Sequence, residues 1–146
     1  MLVVIATKDE LHLVKELKFD HLPILITGVG GVNVINALKD IPKDTEILNI
    51  GYVGSNKLDI GTIVGVNRVN TFHPSVDFYE CNTNNLTIGE YNCYTSTDFV
   101  TKCNIEEPCV FDMELAFICA LGFKIVRSIK KVSDNLSLKE YENTIN

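Results

Sequence analysis

Short apolar runs alternate with helical patterns over the first 50 residues, and this alternation is the strongest constraint on the fold. Residues 2–6, 23–27 and 46–50 are predicted as strands, the first of them apolar on both faces. Residues 10–17 and 32–41 carry apolar side chains at helical spacing. A strand–helix–strand–helix–strand order predicts a parallel sheet with right-handed crossover connections.

The remainder of the chain predicts a less regular arrangement. Residues 112–121 are predicted as a helix with Gly122 as its C-cap, and a last helix begins at Ser137. Further strands are predicted at residues 62–69, 109–111 and 124–132, a short hairpin at 86–88 and 91–96, and a polar loop at 74–85. The predicted fold class is therefore α/β, a single domain over residues 1–146 with a twisted, mixed, mostly parallel sheet flanked by helices.

The composition restricts the partners of such a domain. A hydrophobic fraction of 46% and a charged fraction of 22% are globular values. The net charge is −6 and Arg68 and Arg127 are the only arginines, which disfavours binding to nucleic acid or an anionic membrane. The first ten residues, MLVVIATKDE, are typical of a buried strand rather than a signal peptide. We expect a soluble, cytoplasmic protein that binds neither nucleic acid nor a membrane.

The cysteines and histidines show no metal-binding pattern. The five cysteines stand at 81, 93, 103, 109 and 119 without a CxxC pair, and His12, His21 and His73 lie far apart. Reduced thiols are expected rather than a disulfide framework. We predict neither a metal nor a cofactor.

Two glycine-rich segments follow predicted parallel strands. Residues 28–33, Gly-Val-Gly-Gly-Val-Asn, can present backbone N–H groups to an anion, and residues 49–55, Asn-Ile-Gly-Tyr-Val-Gly-Ser, follow the third strand. A dinucleotide-binding fingerprint is disfavoured because Asn33 replaces its third glycine and no acidic residue closes the next strand. Two glycine turns at one sheet edge instead indicate a small-molecule crevice, although glycines also simply end strands.

Acidic residues stand where strands would deliver them to this same edge. Glu10 and Glu114 each lie at the start of a predicted helix, and Asp134 follows the last strand. Taken singly, each has an ordinary explanation in helix capping and the helix dipole. Together with the glycine segments they favour a binding site.

The order of these motifs resembles the purine nucleoside phosphorylase and uridine phosphorylase superfamily. It is most similar to the 5′-methylthioadenosine/S-adenosylhomocysteine nucleosidase branch, in a shortened form. The matching segments are residues 3–10, 28–33, 49–55, 58–64, 96–99 (Ser-Thr-Asp-Phe), 111–116 (Phe-Asp-Met-Glu-Leu-Ala) and 132–134 (Val-Ser-Asp). The chain departs from the family at Tyr52 and Ser55, which replace small residues, and at Thr97, which replaces a glycine.

The resemblance implies a role for each matching residue. Asp134 would be the general acid for the leaving purine, with Ser133 beside it, and Glu10 would activate water. Glu114 would hold the ribose hydroxyls, with Met113 packed on the sugar. Phe99 would stack near the base, Leu138 would line the pocket for the 5′ substituent, and His73 would touch either the ligand or a neighbouring subunit, a surface position being the alternative. A homodimer is expected, because relatives complete the site from a partner chain.

The predicted activity is hydrolysis of the N-glycosidic bond of a purine nucleoside, and two alternatives remain open. A phosphorylase would hold phosphate with several Arg side chains, but this chain has two, neither in a glycine turn. A catalytically reduced nucleoside-binding protein is the other alternative, because the chain is short for the family.

The protonation state of Asp134 depends on the charges that surround it. A general acid needs a pKa well above the ordinary value of about 3.9, which requires burial. Lys130 shares a strand face with Asp134, and Lys131 lies on the opposite one. An ammonium beside Asp134 would keep it ionised, so the outcome depends on where the Lys130 amine lies.

Overall fold

The computed structural model describes the backbone of residues 1–73, 76–79 and 89–145, and the side chains of residues 1–72 and 89–145. Within these ranges there are eight strands and four α-helices. The strands are β1 (Leu2–Ile5), β2 (Ile24–Ile26), β3 (Glu46–Ser55), β4 (Ile63–His73), β5 (Val76–Tyr79), β6 (Tyr91–Ser96), β7 (Val110–Asp112) and β8 (Lys124–Asp134). The helices are α1 (Leu11–Glu16), preceded by a 3₁₀ turn at Lys8–Glu10, α2 (Gly31–Leu38), α3 (Leu115–Ala120) and α4 (Leu138–Ile145).

The first part of the chain forms the parallel unit that the sequence predicts. β1 lies between β2 and β3 and runs parallel to both. The carboxyl end of β1 leads into the turn that carries Glu10, and β2 leads through the first glycine segment into α2. The single-domain α/β class is confirmed.

The sheet closes on itself, which the prediction of a flanked mixed sheet did not include. β8 pairs in parallel with β3 and antiparallel with β4. The other end of β3 pairs with β7, which pairs with β6, and β6 pairs with β4. Strands β3, β7, β6, β4 and β8 therefore form a barrel-like ring. Closure rests on pairings between distant segments, and hydrophobic periodicity identifies strands without identifying their partners.

The middle of the chain needs two corrections, and one prediction there stays a prediction. The polar loop predicted over residues 74–85 contains β5, which pairs antiparallel with β4. The first arm of the predicted hairpin, residues 86–88, lies outside the described residues, and β6 runs parallel to β4. The helix predicted from residue 112 begins at Leu115, because Asp112 ends β7 and its carboxylate accepts a 2.8 Å hydrogen bond from the Leu115 N–H.

Apolar clusters on both faces of the sheet fix these elements. Leu13 and Val14 of α1 pack with Val3, Leu48 and Ile129 on one side. A second cluster joins α2 and α3 to the other side through Val4, Val34, Leu38, Ile47, Ile118 and Phe123. No helix among the described residues is long and apolar enough to cross a membrane.

Candidate active site

A cavity of about 260 Å³ opens at the carboxyl ends of β1, β3 and β8. Parallel strands bring the residues that follow them to one edge, which is where α/β sheets bind ligands. The lining residues are Ala6, Thr7, Glu10, Val29, Tyr52, Val53, Gly54, Phe99, Phe111, Asp112, Met113, Glu114, Ser133, Asp134 and Tyr141. A pocket of about 30 Å³ adjoins it and shares Gly54, Phe99 and Asp134.

Glu10 lines this cavity and is buried, with 6% of its surface exposed. Its Oε1 accepts hydrogen bonds from the N–H groups of Ala6 at 2.7 Å and Thr7 at 3.2 Å, and its Oε2 accepts one from Tyr52 N–H at 2.8 Å. Burial raises the pKa of Glu10, although these donors and the Lys130 ammonium oppose the rise. A carboxylate has about four lone-pair positions, so about one is left for a water molecule.

Glu114 is the anion that the first glycine segment binds. The Gly30 N–H donates a 2.9 Å hydrogen bond to Oε2 of Glu114, so one of the backbone donors expected to face a ligand holds a side chain of the site. Burial raises the pKa of Glu114 to about 7, repulsion by Asp112 contributes, and the Gly30 N–H and Lys130 oppose the rise. The carboxyl group therefore titrates near neutral pH.

Asp134 is 1% exposed at the end of β8. Its Oδ1 lies 2.8 Å from the Ser133 hydroxyl, and its Oδ2 accepts a 3.0 Å hydrogen bond from the Leu136 N–H. Burial raises the pKa of Asp134, and the hydrogen bonds from Ser133 and Leu136 oppose the rise. The direction is the one that a general acid requires.

The second glycine segment lies within β3 rather than in a turn, and its glycines make room for carboxylates. A Cβ on Gly51 would lie 2.8 Å from Oε2 of Glu10, and one on Gly54 would lie 2.8 Å from Oδ2 of Asp134. Distances this short exclude a side chain unless the carboxylates move. These glycines therefore allow the backbone of β3 to pass between the two acids.

Lys130 and Asp112 form a buried ion pair beside the cavity, with Nζ 3.2 Å from Oδ2 and side chains 2% and 1% exposed. Asp112 also accepts hydrogen bonds from the Thr95 hydroxyl and the Cys93 thiol. The Lys130 amine therefore lies against Asp112, and it is not among the groups that lower the pKa of Asp134. Lys131, on the opposite strand face, pairs with Glu16 at 2.9 Å.

Aromatic side chains form one wall of the cavity. The rings of Phe99 and Tyr141 meet edge to face with centroids 5.7 Å apart, and Met113 lies in the same lining. Leu138 does not line the cavity and is 51% exposed, because α4 turns Tyr141 rather than Leu138 inward. His73 is the last residue of β4, and its side chain lies outside the described residues.

The structure thus brings together Glu10, Phe99, Met113, Glu114, Ser133 and Asp134, and it leaves Leu138 outside. Asp112, Lys130 and Tyr141 were not predicted as site residues. The signal for Lys130 was a lysine inside an otherwise buried strand, which is rare unless the charge is paired.

The four described cysteines, Cys93, Cys103, Cys109 and Cys119, are free thiols, and Cys81 lies outside the described residues. The described residues include no cluster suited to a metal ion.

Several solved structures with the same fold are nucleosidases. The sequence matches no family model, and no curated protein matches it. A methylthioadenosine nucleosidase (MTAN) of Chlamydia trachomatis, an Asp-to-Asn variant bound to MTA, superimposes with a TM-score of 0.75 at 16% identity, covering 99% of this chain and 88% of that one. The S-adenosylhomocysteine nucleosidase of Streptococcus pyogenes, in complex with 5-methylthiotubericidin, gives 0.73 at 17% identity and 99% and 89% coverage.

Futalosine hydrolase of Helicobacter pylori gives a TM-score of 0.70 at 13% identity, covering 99% of this chain and 89% of that one. These enzymes belong to the nucleoside phosphorylase superfamily, and the chain has their fold. The resemblance inferred from the order of the motifs is confirmed at this level.

Proposed function

We propose that the chain is a nucleosidase that hydrolyses the N-glycosidic bond of a purine nucleoside, of the 5′-methylthioadenosine or S-adenosylhomocysteine type. The observation that carries the proposal is that Glu10, Glu114 and Asp134, far apart in the sequence, line one cavity. Each has a pKa raised by burial. The three correspond to the needs of this reaction, which are a base for water, an anchor for the sugar and an acid for the leaving group.

In this mechanism the bond between C1′ and N9 breaks with its electron pair passing to the purine. Asp134 donates a proton to N7, so the base leaves as a neutral molecule rather than an anion. Water attacks C1′ and gives a proton to Glu10, which has about one lone-pair position free. Proton exchange with solvent then returns both carboxyl groups to their starting states.

Glu114 would hold the ribose, accepting hydrogen bonds from its vicinal hydroxyl groups through the oxygen that Gly30 leaves free. Its negative charge also favours the cationic, oxocarbenium-like sugar of the transition state. Met113 would pack against the sugar. Phe99 would stack near the base at the edge of the small adjoining pocket.

Hydrolysis is favoured over phosphorolysis by the charge of the cavity. Four carboxyl groups, those of Glu10, Asp112, Glu114 and Asp134, line it. Lys130 is already paired with Asp112. A phosphate dianion would meet several carboxylates without an unpaired cation from these lining residues to hold it.

The test is a panel of purine nucleosides incubated with the purified protein, with and without phosphate, and analysed by chromatography. Free base and free sugar in phosphate-free buffer are expected. Sugar 1-phosphate appearing only with phosphate would instead identify a phosphorylase. Intact nucleoside that binds without turnover would identify a binding protein.

We further propose that the protein forms a homodimer through the exposed side of α2. Val32 is 75% exposed, and Ile35 and Val29 are also exposed, with Val29 lining the cavity. A contiguous apolar surface is typical of a protein–protein interface. A partner seated there would cover the cavity mouth, as the family resemblance implies. Light scattering at micromolar concentration should give twice the monomer mass of 16.3 kDa, and a monomeric mass would refute the proposal.

A further inference from the structure

The Lys130 ammonium has three carboxylates within its electrostatic reach and binds one of them. Asp112 pairs with it at 3.2 Å, and attraction to Glu10 and Glu114 also acts on it. Burial lowers the pKa of Lys130, but attraction to these groups outweighs the effect, so its pKa lies above the ordinary value. Lys130 is therefore a permanent cation whose position decides which acid it neutralises.

Glu10 lies close enough to compete for this cation. A Cβ on Gly51 would be 2.8 Å from Oε2 of Glu10 and 3.5 Å from Nζ of Lys130, so the two groups lie within about 6 Å of each other. A change of lysine rotamer could span that separation. The ammonium stays at Asp112 because other groups hold the Asp112 carboxylate in place.

Asp112 is fixed from several sides. Its Oδ1 accepts hydrogen bonds from Thr95 and Cys93 on β6, and its Oδ2 accepts one from the Leu115 N–H at the start of α3. The Thr95 hydroxyl in turn accepts a 3.0 Å hydrogen bond from the Ala116 N–H. A carboxylate held by β7, β6 and α3 together presents the ammonium with a rigid partner.

We propose that Asp112 is a positioning residue, whose carboxylate binds the Lys130 ammonium and so keeps it from forming direct ion pairs with Glu10 and Glu114. The charged groups that face Lys130 are Asp112 on β7, Glu10 after β1 and Glu114 before α3, and Cys93 on β6 faces it as a neutral thiol. A direct ion pair with Lys130 would make Glu10 a weaker base. It would also withdraw negative charge from the sugar site at Glu114.

The inference rests on the proposed function only for its catalytic consequence, because the protonation of Glu10 and Glu114 can be measured without substrate. The protein is labelled with ¹³C at the glutamate carboxyl carbons, and the two resonances are titrated by NMR. The variants are Asp112→Asn, the double change Asp112→Asn with Lys130→Met, and Lys131→Met. Lys131→Met removes the neighbouring surface lysine of the same strand and serves as the matched control.

In Asp112→Asn the ammonium is released toward the glutamates, so both titration midpoints should fall. The Glu114 midpoint should move down from about 7 by about one pH unit or more, because repulsion by Asp112 is also lost. In the double variant the cation is absent, and the Glu10 midpoint should instead rise above that of the parent protein. Lys131→Met should change neither. If the protein is a nucleosidase, the acidic limb of its pH–rate profile should move with these midpoints.

An unchanged Glu10 midpoint in a folded Asp112→Asn variant would overturn the proposal and leave the ion pair a structural feature, since Glu114 responds to the lost repulsion by Asp112 in any case. Should Asp112→Asn fail to fold because it leaves Lys130 buried without a partner, the double variant, which removes both charges, still tests the premise that the Lys130 ammonium acts on Glu10. An unchanged or lower Glu10 midpoint there would also refute the proposal. Midpoints that move as expected in a protein that cleaves no nucleoside would refute the proposed function alone.

Discussion

The Ser133 hydroxyl lies 2.8 Å from Oδ1 of Asp134 and 3.2 Å from the carbonyl oxygen of Val53. This single hydroxyl suits both protonation states of the acid. When Asp134 is ionised, Ser133 donates to the carboxylate, and when Asp134 is protonated, Ser133 can turn its hydrogen to the carbonyl. In the proposed mechanism this arrangement would stabilise the anion left after proton transfer without preventing protonation beforehand.

Asp134→Asn should therefore lower turnover at least a hundredfold while nucleoside binding changes little. A positioned acid contributes about 10²–10⁴-fold, and the amide keeps the shape but not the acidic proton. Affinity and rate are measured separately on a chromophoric or labelled nucleoside. Asp59→Asn, on an exposed turn, is the control. A variant that cleaves within threefold of the parent would remove Asp134 from the mechanism.

Glu114→Gln should lower both binding and turnover at least tenfold for ribonucleosides. Each hydrogen bond from a sugar hydroxyl to a carboxylate contributes about 1.5–3 kcal/mol, and the change keeps shape while removing charge. The loss should be smaller for 2′-deoxynucleosides, which lack one of the two hydroxyl groups. Equal losses on both substrate types would contradict the sugar assignment.

The raised pKa of Glu114 also predicts how the free energy of unfolding depends on pH. Its folded-state pKa of about 7 lies above the ordinary value of 4.5, so the native state binds the proton more tightly. The contribution of the Glu114 carboxyl group to folding stability is fully present below pH 4.5 and is lost as the pH rises through about 7. The loss is at most about 3 kcal/mol, and less where water in the cavity screens the charge.

The Glu114→Gln variant isolates this contribution. Urea unfolding of parent and variant between pH 4.5 and 8 should show the stability of the variant rising relative to the parent across that window. A difference in unfolding free energy that is constant with pH would show that Glu114 does not titrate in this range.

Tyr141 should matter for substrate binding where Leu138 does not. Tyr141→Ala removes one ring of the edge-to-face pair with Phe99 and opens the cavity wall. Such a pair contributes about 0.5–1.5 kcal/mol beyond the area that it buries, and without it the Phe99 ring is no longer held in the cavity lining, so KM should rise about tenfold. Leu138→Ala, on the same helix but outside the lining, should leave KM within about twofold. The opposite order would restore the family-based assignment of Leu138.

Sequence patterns report on neighbouring residues, and this decides which parts of the fold and of the candidate site could be predicted. Local periodicity predicted β1, β2 and the first half of β3, and motif order identified Glu10, Glu114 and Asp134 without fixing their surroundings. The pairing of β8 with both β3 and β4 could not be predicted, because it joins segments with no shared pattern. The choice of Tyr141 over Leu138 depends on the rotation of α4, which two apolar residues three positions apart do not determine.

The two glycines of β3 show the same limit. Their sequence pattern predicted a turn, yet both lie within the strand, and only their contacts reveal that carboxylates occupy the space beside them. A glycine within a strand usually weakens it, so its presence there indicates a close approach by another group. The neighbouring side chains come from residues far along the chain, which no local pattern could identify.

Gly54→Ala should consequently impair catalysis through Asp134 without contacting substrate. The added Cβ would lie 2.8 Å from Oδ2 of Asp134 and 3.2 Å from a methyl carbon of Leu136, so the carboxylate must shift. Because a general acid must lie within hydrogen-bond reach of its proton acceptor, turnover should fall at least tenfold. Thermal unfolding measured in parallel separates this displacement from global destabilisation. Full activity in a folded Gly54→Ala variant would show that the position of Asp134 is not critical to the reaction.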